Sequence, residues 1–294
     1  MLTKDKNFHR SRRFIVFWVS ALVFICVFGL IEKSLLLKKI FRRPLSINGI
    51  VWQLSRDTTS IRGDWQKLGA NHLLIQWSMV NNINFLTGPE GIRPDWLAIS
   101  QQPWAQYVIL GLAGNFDEKI ARKNSLALAK ESLQLISQSG PLNVSGYYFP
   151  VESDPTWLEV QDDMPKALAL LPRPLWISVY DNSNIGSEPF AKWLSGWLPH
   201  DVGIFFQDGV GVEARSAPVA RQYADALSNT FGHNRVKVIV EAFRPSSNGK
   251  FRAALAAEIL PQITAMQGYD IYPFAAQYLD SKKVSILERL MRRS

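Results

Sequence analysis

Residues 236–240 read Val-Lys-Val-Ile-Val and continue into Glu241, so an apolar run of strand length ends on a carboxylate. Similar runs are Ile-Val-Trp-Gln-Leu at 50–54, Leu-Leu-Ile-Gln-Trp at 73–77 and Val-Ile-Leu-Gly-Leu at 108–112. Near-continuous apolar runs of this kind are typical of parallel strands that are buried on both faces. They predict a parallel sheet covered by helices.

Eight candidate strands alternate with helical segments along residues 44–294. The helical segments include 117–139, which has Ala/Leu spacing and a Gly-Pro stop, and 216–231, which is closed by Gly232. The candidate strands are 47–55, 72–79, 107–113, 144–151, 175–180, 202–207, 236–242 and 269–274. Eight such units over this length favour one α/β domain at 44–294, a (β/α)8 TIM barrel.

An open, doubly wound parallel sheet is the alternative fold. Its first strand-to-helix turn would carry a Gly-rich phosphate-binding loop. Residues 54–57, which follow the first candidate strand, are Leu-Ser-Arg-Asp. The barrel is therefore the favoured prediction.

Residues 14–31 are eighteen consecutive uncharged and mainly apolar residues. A hydrocarbon core of about 30 Å requires a helix of about this length. A cleaved secretory signal is the alternative, but its apolar region usually has about 7 to 15 residues and ends on a small-x-small site. The segment predicts an uncleaved transmembrane anchor within residues 1–43, ahead of the barrel domain.

The formal net charge of +8 is unevenly distributed. Residues 1–43 contain ten Lys or Arg and two acidic residues, which leaves twenty-three of each sign in 44–294. The basic excess therefore flanks the membrane segment. The neutral domain gives no reason to expect a nucleic-acid partner.

Basic clusters lie on both sides of segment 14–31, so the positive-inside rule alone does not decide its orientation. The N-terminal cluster abuts the segment, and a short basic head of this kind is normally retained in the cytoplasm. Cys26, the only cysteine, lies within the segment, so the domain has no disulfide. We predict a single-pass protein of a bacterial inner membrane with its domain in the periplasm.

Polar or aromatic residues end every candidate strand, and in a TIM barrel the catalytic groups lie at these carboxyl ends. Amides and carboxylates bind hydroxyl groups, and aromatic faces stack on sugar rings. The predicted substrate-binding residues are Trp52, Gln53, Gln76, Trp77, Asn115, Tyr180, Asp181, Gln207, Asp208 and Tyr272. This set predicts a carbohydrate ligand.

Two glutamates follow apolar strands, Glu152 after Gly-Tyr-Tyr-Phe-Pro-Val and Glu241 after the run quoted first. A carboxylate in apolar surroundings is costly to desolvate unless it is paired or functional, and its pKa is open to tuning. Glycoside hydrolysis needs two carboxyl groups that face each other across a bond. We predict that Glu152 and Glu241 are catalytic. The alternative is that each forms an ion pair with an arginine such as Arg244 or Arg56.

Neither a metal nor a cofactor is predicted. The four histidines, His9, His72, His200 and His233, show no metal-ligand spacing, and there is no cysteine cluster. The sequence also lacks the G-x-S-x-G elbow of an α/β-hydrolase around its serines.

Five segments resemble the DUF4434 family of glycoside-hydrolase-like (β/α)8 barrels, which occur in secreted or anchored bacterial proteins. They are 47–53, 73–77, 146–152, 206–211 and 240–243. The resemblance implies a barrel with a carbohydrate-related role.

The two glutamates add a second resemblance. Glu152 and Glu241 are similar to the acid/base and nucleophile of the large clan of retaining glycosidases. That clan usually places an asparagine directly before the first glutamate, where this chain has Val151.

The predicted function is a membrane-anchored glycoside hydrolase that acts on a polysaccharide or oligosaccharide outside the cytoplasm. Glu152 would be the general acid/base and Glu241 the nucleophile or base. The alternative is a non-catalytic glycan-binding barrel that serves an exopolysaccharide synthesis or export machine. The position of the two carboxyl groups separates these functions, because a catalytic pair must share one cleft.

Overall fold

Eight parallel strands close into a barrel in the computed structural model, which describes residues 44–294. The strands of this range, in chain order, are β1 (Gly49–Trp52), β2 (His72–Ile75), β3 (Met79–Val80), β4 (Ile83–Asn84), β5 (Tyr107–Gly111), β6 (Ala113–Gly114), β7 (Val144–Ser153), β8 (Leu175–Val179), β9 (Val202–Gln207), β10 (Val236–Glu241), β11 (Phe243–Pro245), β12 (Phe251–Ala253) and β13 (Asp270–Phe274). The barrel order is β1-β2-β5-β7-β8-β9-β10-β13, and β13 pairs with β1. The predicted barrel is confirmed, and the open sheet is excluded.

Helices connect the barrel strands, except that the β1–β2 connection contains only the short 3-10 helices Arg56–Thr58 and Trp65–Leu68. Within 44–294 they are α1 (Trp96–Ser100), α2 (Glu118–Lys123), α3 (Ser125–Ile136), α4 (Val160–Ala169), α5 (Ser187–Ser195), α6 (Ala217–Phe231), α7 (Ala256–Ala265) and α8 (Ser281–Met291). Aspartate side chains accept backbone N–H groups at three helix starts, Asp95 from Ala98, Asp117 from Ile120 and Asp280 from Lys283. Such N-caps satisfy donors that the first turn leaves free.

Apolar side chains form a large cluster between the strands and the helices and a smaller one inside the barrel. The inner cluster consists of Val51, Leu74, Ile109, Tyr148, Phe205, Ile239 and Tyr272. The ring of Tyr272 lies so close to β1 that a Cβ at Gly49 would be 2.3 Å from it. Both faces of the strands are therefore buried, as the apolar runs predicted.

An irregularity in β7 lies next to its carboxyl end. Phe149 pairs with Ile177 and Ser153 with Val179, so four steps along β7 match two steps along β8. Such bulges bend a strand and re-aim its side chains, often beside functional sites. Glu152 lies within this irregular stretch.

Two small sheets extend the same end of the barrel. β11 and β12 form an antiparallel hairpin, while β3 pairs with β4 and β6.

Residues Leu45–Ser294 form one compact unit. No helix in the described range 44–294 has the length and hydropathy needed to cross a bilayer. The predicted membrane segment 14–31 lies outside the described residues.

Candidate active site

A pocket of about 320 Å³ opens at the carboxyl ends of the barrel strands. Its lining comes from β7, β9, β10, β11 and β13 and from the residues after β1, β2, β8 and β9. The lining residues are Gln53, Gln76, Glu152, Tyr180, Asp181, Asn182, Gln207, Gly209, Val212, Ala214, Arg215, Glu241, Phe243 and Phe274. Both predicted catalytic glutamates therefore reach one pocket.

Seven predicted site residues line this pocket, namely Gln53, Gln76, Glu152, Tyr180, Asp181, Gln207 and Glu241. Two larger depressions, of about 450 and 610 Å³, share Arg93, Pro94 and Asp95 and include none of the predicted site residues. The pocket in the barrel mouth is therefore the candidate active site because of the residues that line it, although the other two depressions are larger.

Trp52 and Trp77 do not line the pocket, so their prediction as sugar-binding residues is wrong. Trp52 is fully buried, donates its indole N–H to the Thr58 carbonyl at 2.9 Å and packs edge-on against Trp96. Trp77 donates its indole N–H to the Leu54 carbonyl. Both belong to the cluster between strands and helices because their side chains point out of the barrel.

Asn115 and Tyr272 also lie away from the pocket lining. The Asn115 side chain accepts the backbone N–H of Asp117 at 2.8 Å, which fixes a turn. Tyr272 is fully buried inside the barrel, because β13 continues for two further residues to Phe274. Phe274 lines the pocket in its place.

Glu152 lies beside Gln207, which donates from its side-chain amide to the Glu152 carboxylate at 2.9 Å and to the Ser178 hydroxyl at 2.6 Å. Burial and the negative charge of Glu118 raise the pKa of Glu152 to about 7, although Gln207 and Arg122 act in the opposite direction. Glu152 therefore keeps its proton close to neutral pH, as a general acid requires.

Glu241 is held by the loop after β9. Its Oε2 accepts the backbone N–H of Val212 at 3.0 Å, and a Cβ at Gly211 would lie 2.4 Å from the Glu241 Cβ. Burial raises the pKa of Glu241, while the amides of Val212 and Gly211 and the charge of Arg215 oppose that change. The loop thus supplies donors that favour the charged form needed in a base or nucleophile.

Asp208 accepts a hydrogen bond from the backbone of Glu241 and does not line the pocket. This position corrects the prediction of Asp208 as a substrate-binding residue. Its Oδ1 accepts the backbone N–H groups of Val210 at 3.1 Å and Glu241 at 3.3 Å. Its buried Oδ2 has no hydrogen-bond partner within residues 44–294. Burial and the charge of Glu241 raise the pKa of Asp208 well above its usual range. Asp208 and Glu241 therefore compete for a proton.

The ion pairs of residues 44–294 include neither Glu152 nor Glu241. Arg244, which the sequence offered as a partner, donates instead to the backbone carbonyls of Glu241 at 3.2 Å and Phe243 at 2.6 Å. The predicted alternative of a closed ion pair with Arg244 or Arg56 is therefore not observed.

Arg215 is a pocket residue that the sequence did not reveal. Its guanidinium donates to the backbone carbonyl of Asp181 and to the side chain of Asn184, at 2.9 Å for the latter, and lies 4.6 Å from the Tyr223 ring centroid. It comes eight residues after β9, and only the fold of the intervening loop brings it back to the site. Phe243 was missed because its hairpin gave no distinct signal.

A second carboxylate stands next to Glu152. Glu118 accepts the Tyr180 hydroxyl at 2.7 Å and pairs with Arg122, whose Nε also donates to the Glu152 carbonyl at 3.1 Å. The predicted pocket residue Tyr180 is therefore fixed by this group. No cluster of three His, Cys, Asp or Glu side chains suited to a metal occurs in the part of the chain described by the structure.

The chain matches no protein-family model and no curated protein. Among solved structures it is similar to a candidate alpha-L-fucosidase from Bacteroides thetaiotaomicron, with a TM-score of 0.56 and 12% sequence identity. The match covers 86% of this chain and 94% of the other. The two proteins share a TIM-barrel fold, and at this identity the likeness extends to the fold alone.

Proposed function

We propose that this chain is a glycoside hydrolase in which Glu152 is the general acid/base and Glu241 is the nucleophile or base. The supporting observation is that two glutamates from β7 and β10 reach one pocket with raised pKa values and without a closed ion pair. Paired carboxyl groups at one mouth are what acid/base hydrolysis of a glycosidic bond requires. The similar fold of the fucosidase candidate is consistent with this proposal.

The surroundings of Glu152 and Glu241 favour a different catalytic role for each. Glu152 has a raised pKa and a neutral amide neighbour, so it can deliver a proton to the leaving oxygen. Glu241 faces backbone N–H groups and lies near Arg215, which favour its ionised form. In that form it attacks the anomeric carbon or removes a proton from an attacking water.

The remaining lining suits a sugar. Gln53, Gln76 and Asn182 offer amide donors and acceptors for hydroxyl groups, while Phe243 and Phe274 provide apolar faces. An oligosaccharide or polysaccharide is therefore the proposed substrate. The named activity of the fucosidase candidate makes alpha-L-fucosides the first compounds to assay.

Activity is expected to have a bell-shaped pH dependence, because Glu241 must lose its proton while Glu152 keeps its own. The acid limb should lie above the usual pKa of a glutamate, since burial raises the pKa of Glu241. The alkaline limb should fall near the Glu152 pKa of about 7. The measurement is kcat/KM from pH 4 to 9, with Glu131→Gln, an exposed position on α3, as the control. Activity that keeps rising above pH 8 would contradict the assignment.

We further propose that residues 14–31 anchor the protein in a bacterial inner membrane with the barrel in the periplasm. The support is the eighteen-residue uncharged run and the basic head that abuts it. Membership of the DUF4434 family is part of the same proposal, on the five segments that resemble it.

A reporter fused after Ser294 is expected to lie outside the cytoplasm, so only a reporter that functions there should be active. Alkaline phosphatase at that position should be active and a cytoplasmic reporter inactive. Moving each reporter to a point before residue 14 provides the control, because the two activities should then exchange. The reverse pattern would place the barrel in the cytoplasm and remove its access to external glycans.

A further inference from the structure

An apolar surface continues out of the pocket onto the β11–β12 hairpin. Phe243 on β11 lines the pocket and is nearly buried, whereas Phe251 on β12 is 52% exposed. Their ring centroids are 4.6 Å apart in an edge-on arrangement. The Phe274 ring also lines the pocket, and its centroid lies 6.2 Å from that of Phe243. The three rings therefore run from the pocket to solvent.

The hairpin that carries Phe251 is held firmly. Arg252 donates to both carboxylate oxygens of Glu258 on α7, at 2.8 and 2.7 Å. Arg244 donates to the Glu258 carbonyl at 2.9 Å. The Ala254 N–H also bonds to the Ala242 carbonyl at 2.9 Å. A side chain on such a support loses little conformational freedom when it binds a ligand.

The size of the pocket explains why a second contact outside it would be used. Its volume of about 320 Å³ is near the lower limit of ligand pockets, which is room for a terminal sugar unit rather than a chain. The next unit must lie outside the mouth. Phe251 is the exposed ring that continues the wall formed by Phe243 and Phe274.

We propose that Phe251 is a second sugar subsite, on which the unit adjoining the pocket-bound terminal sugar stacks. This inference rests on the proposed function and makes the enzyme one that acts at chain ends. The C–H face of a pyranose ring complements the negative face of a phenyl ring, so no hydrogen bond is needed there.

The test compares oligosaccharide and monosaccharide binding. Kd values are measured by titration calorimetry on the full-length chain in detergent, in a Glu152→Gln background that prevents turnover. The probes are trisaccharides ending in fucose, glucose, galactose, mannose or N-acetylglucosamine, each paired with the methyl glycoside of its terminal sugar. Phe251→Ala should reduce the preference for trisaccharide over methyl glycoside by about three- to tenfold.

Two further variants serve as controls. Phe116→Ala removes a phenyl ring that is 53% exposed and packs on Trp77 away from the pocket lining, so it should keep the wild-type preference. Phe251→Trp should keep it as well, because it retains a stacking face.

The possible outcomes distinguish a failure of the subsite proposal from a failure of the proposed function. An unchanged preference in Phe251→Ala overturns the subsite and leaves the proposed function standing. Equal weakening of both ligands with a lower melting temperature also overturns it, because Phe251 then only covers Phe243. If the Glu152→Gln chain that retains Phe251 binds none of the probes, the proposed function fails and the subsite with it.

Discussion

Glu152→Gln is expected to lower glycoside hydrolysis by about 10² to 10⁴, the usual contribution of a general acid. The loss should be large for substrates with a poor leaving group and small for dinitrophenyl glycosides, whose leaving group departs without a proton. Sugar binding should be retained, because Gln preserves the shape of the side chain. The measurement is kcat/KM on both substrate types, with Glu131→Gln as the control.

The same variant should become more stable in alkaline solution. Burial and the charge of Glu118 raise the pKa of Glu152 to about 7, so its charged form is disfavoured in the folded chain. That penalty grows as pH rises from the unfolded pKa towards 7, and Gln removes it. We expect the free energy of unfolding to increase by roughly 3 kcal/mol at pH 8 and by less than about 0.5 kcal/mol at pH 4.5. A decrease of about 3 to 5 kcal/mol would instead identify a buried ion-pair partner.

Glu241→Gln is the second change with a large expected effect. A lost base costs about 10² to 10⁴ in rate, and a lost nucleophile at least as much. Dinitrophenyl glycosides should not restore activity here, because the first bond-forming step is affected rather than the protonation of the leaving group. This difference between the two variants is what assigns the roles.

Folding of Glu241→Gln provides the control. The Gln carbonyl oxygen can still accept the Val212 N–H, and the loss of a neighbouring charge should lower the raised pKa of Asp208. The melting temperature should therefore stay close to that of the wild type or rise. An unfolded or strongly destabilised variant would mean that Glu241 holds the loop after β9 together and would remove the evidence for a catalytic role.

The barrel and its two glutamates were predictable for a physical reason. Strands that are buried on both faces leave long apolar runs, and the polar residue that ends such a run must lie near the carboxyl end of the strand. Glu152 and Glu241 were located in this way. The same logic placed Gln76 and Gln207 correctly in the pocket.

The wrongly placed site residues also follow from the near-continuous apolar runs of the strands. A run without alternation does not show which side chain points into the barrel and which points towards the helices, so Trp52 and Trp77 were placed on the wrong side. Tyr272 was misplaced because its side chain points into the barrel interior two residues before β13 ends. Arg215 and Phe243 reach the pocket through a loop and a hairpin, and their positions depend on tertiary contacts that no local pattern reports.

The central claim is tested most directly by incubating the full-length chain with a panel of aryl glycosides, beginning with an alpha-L-fucoside, and measuring the sugar released. The account predicts that the wild type releases sugar from at least one member and that Glu152→Gln and Glu241→Gln both lose this activity. A wild-type chain that binds glycans as tightly as both variants do, and hydrolyses none, would contradict it. That result would favour the alternative function, a non-catalytic glycan-binding barrel.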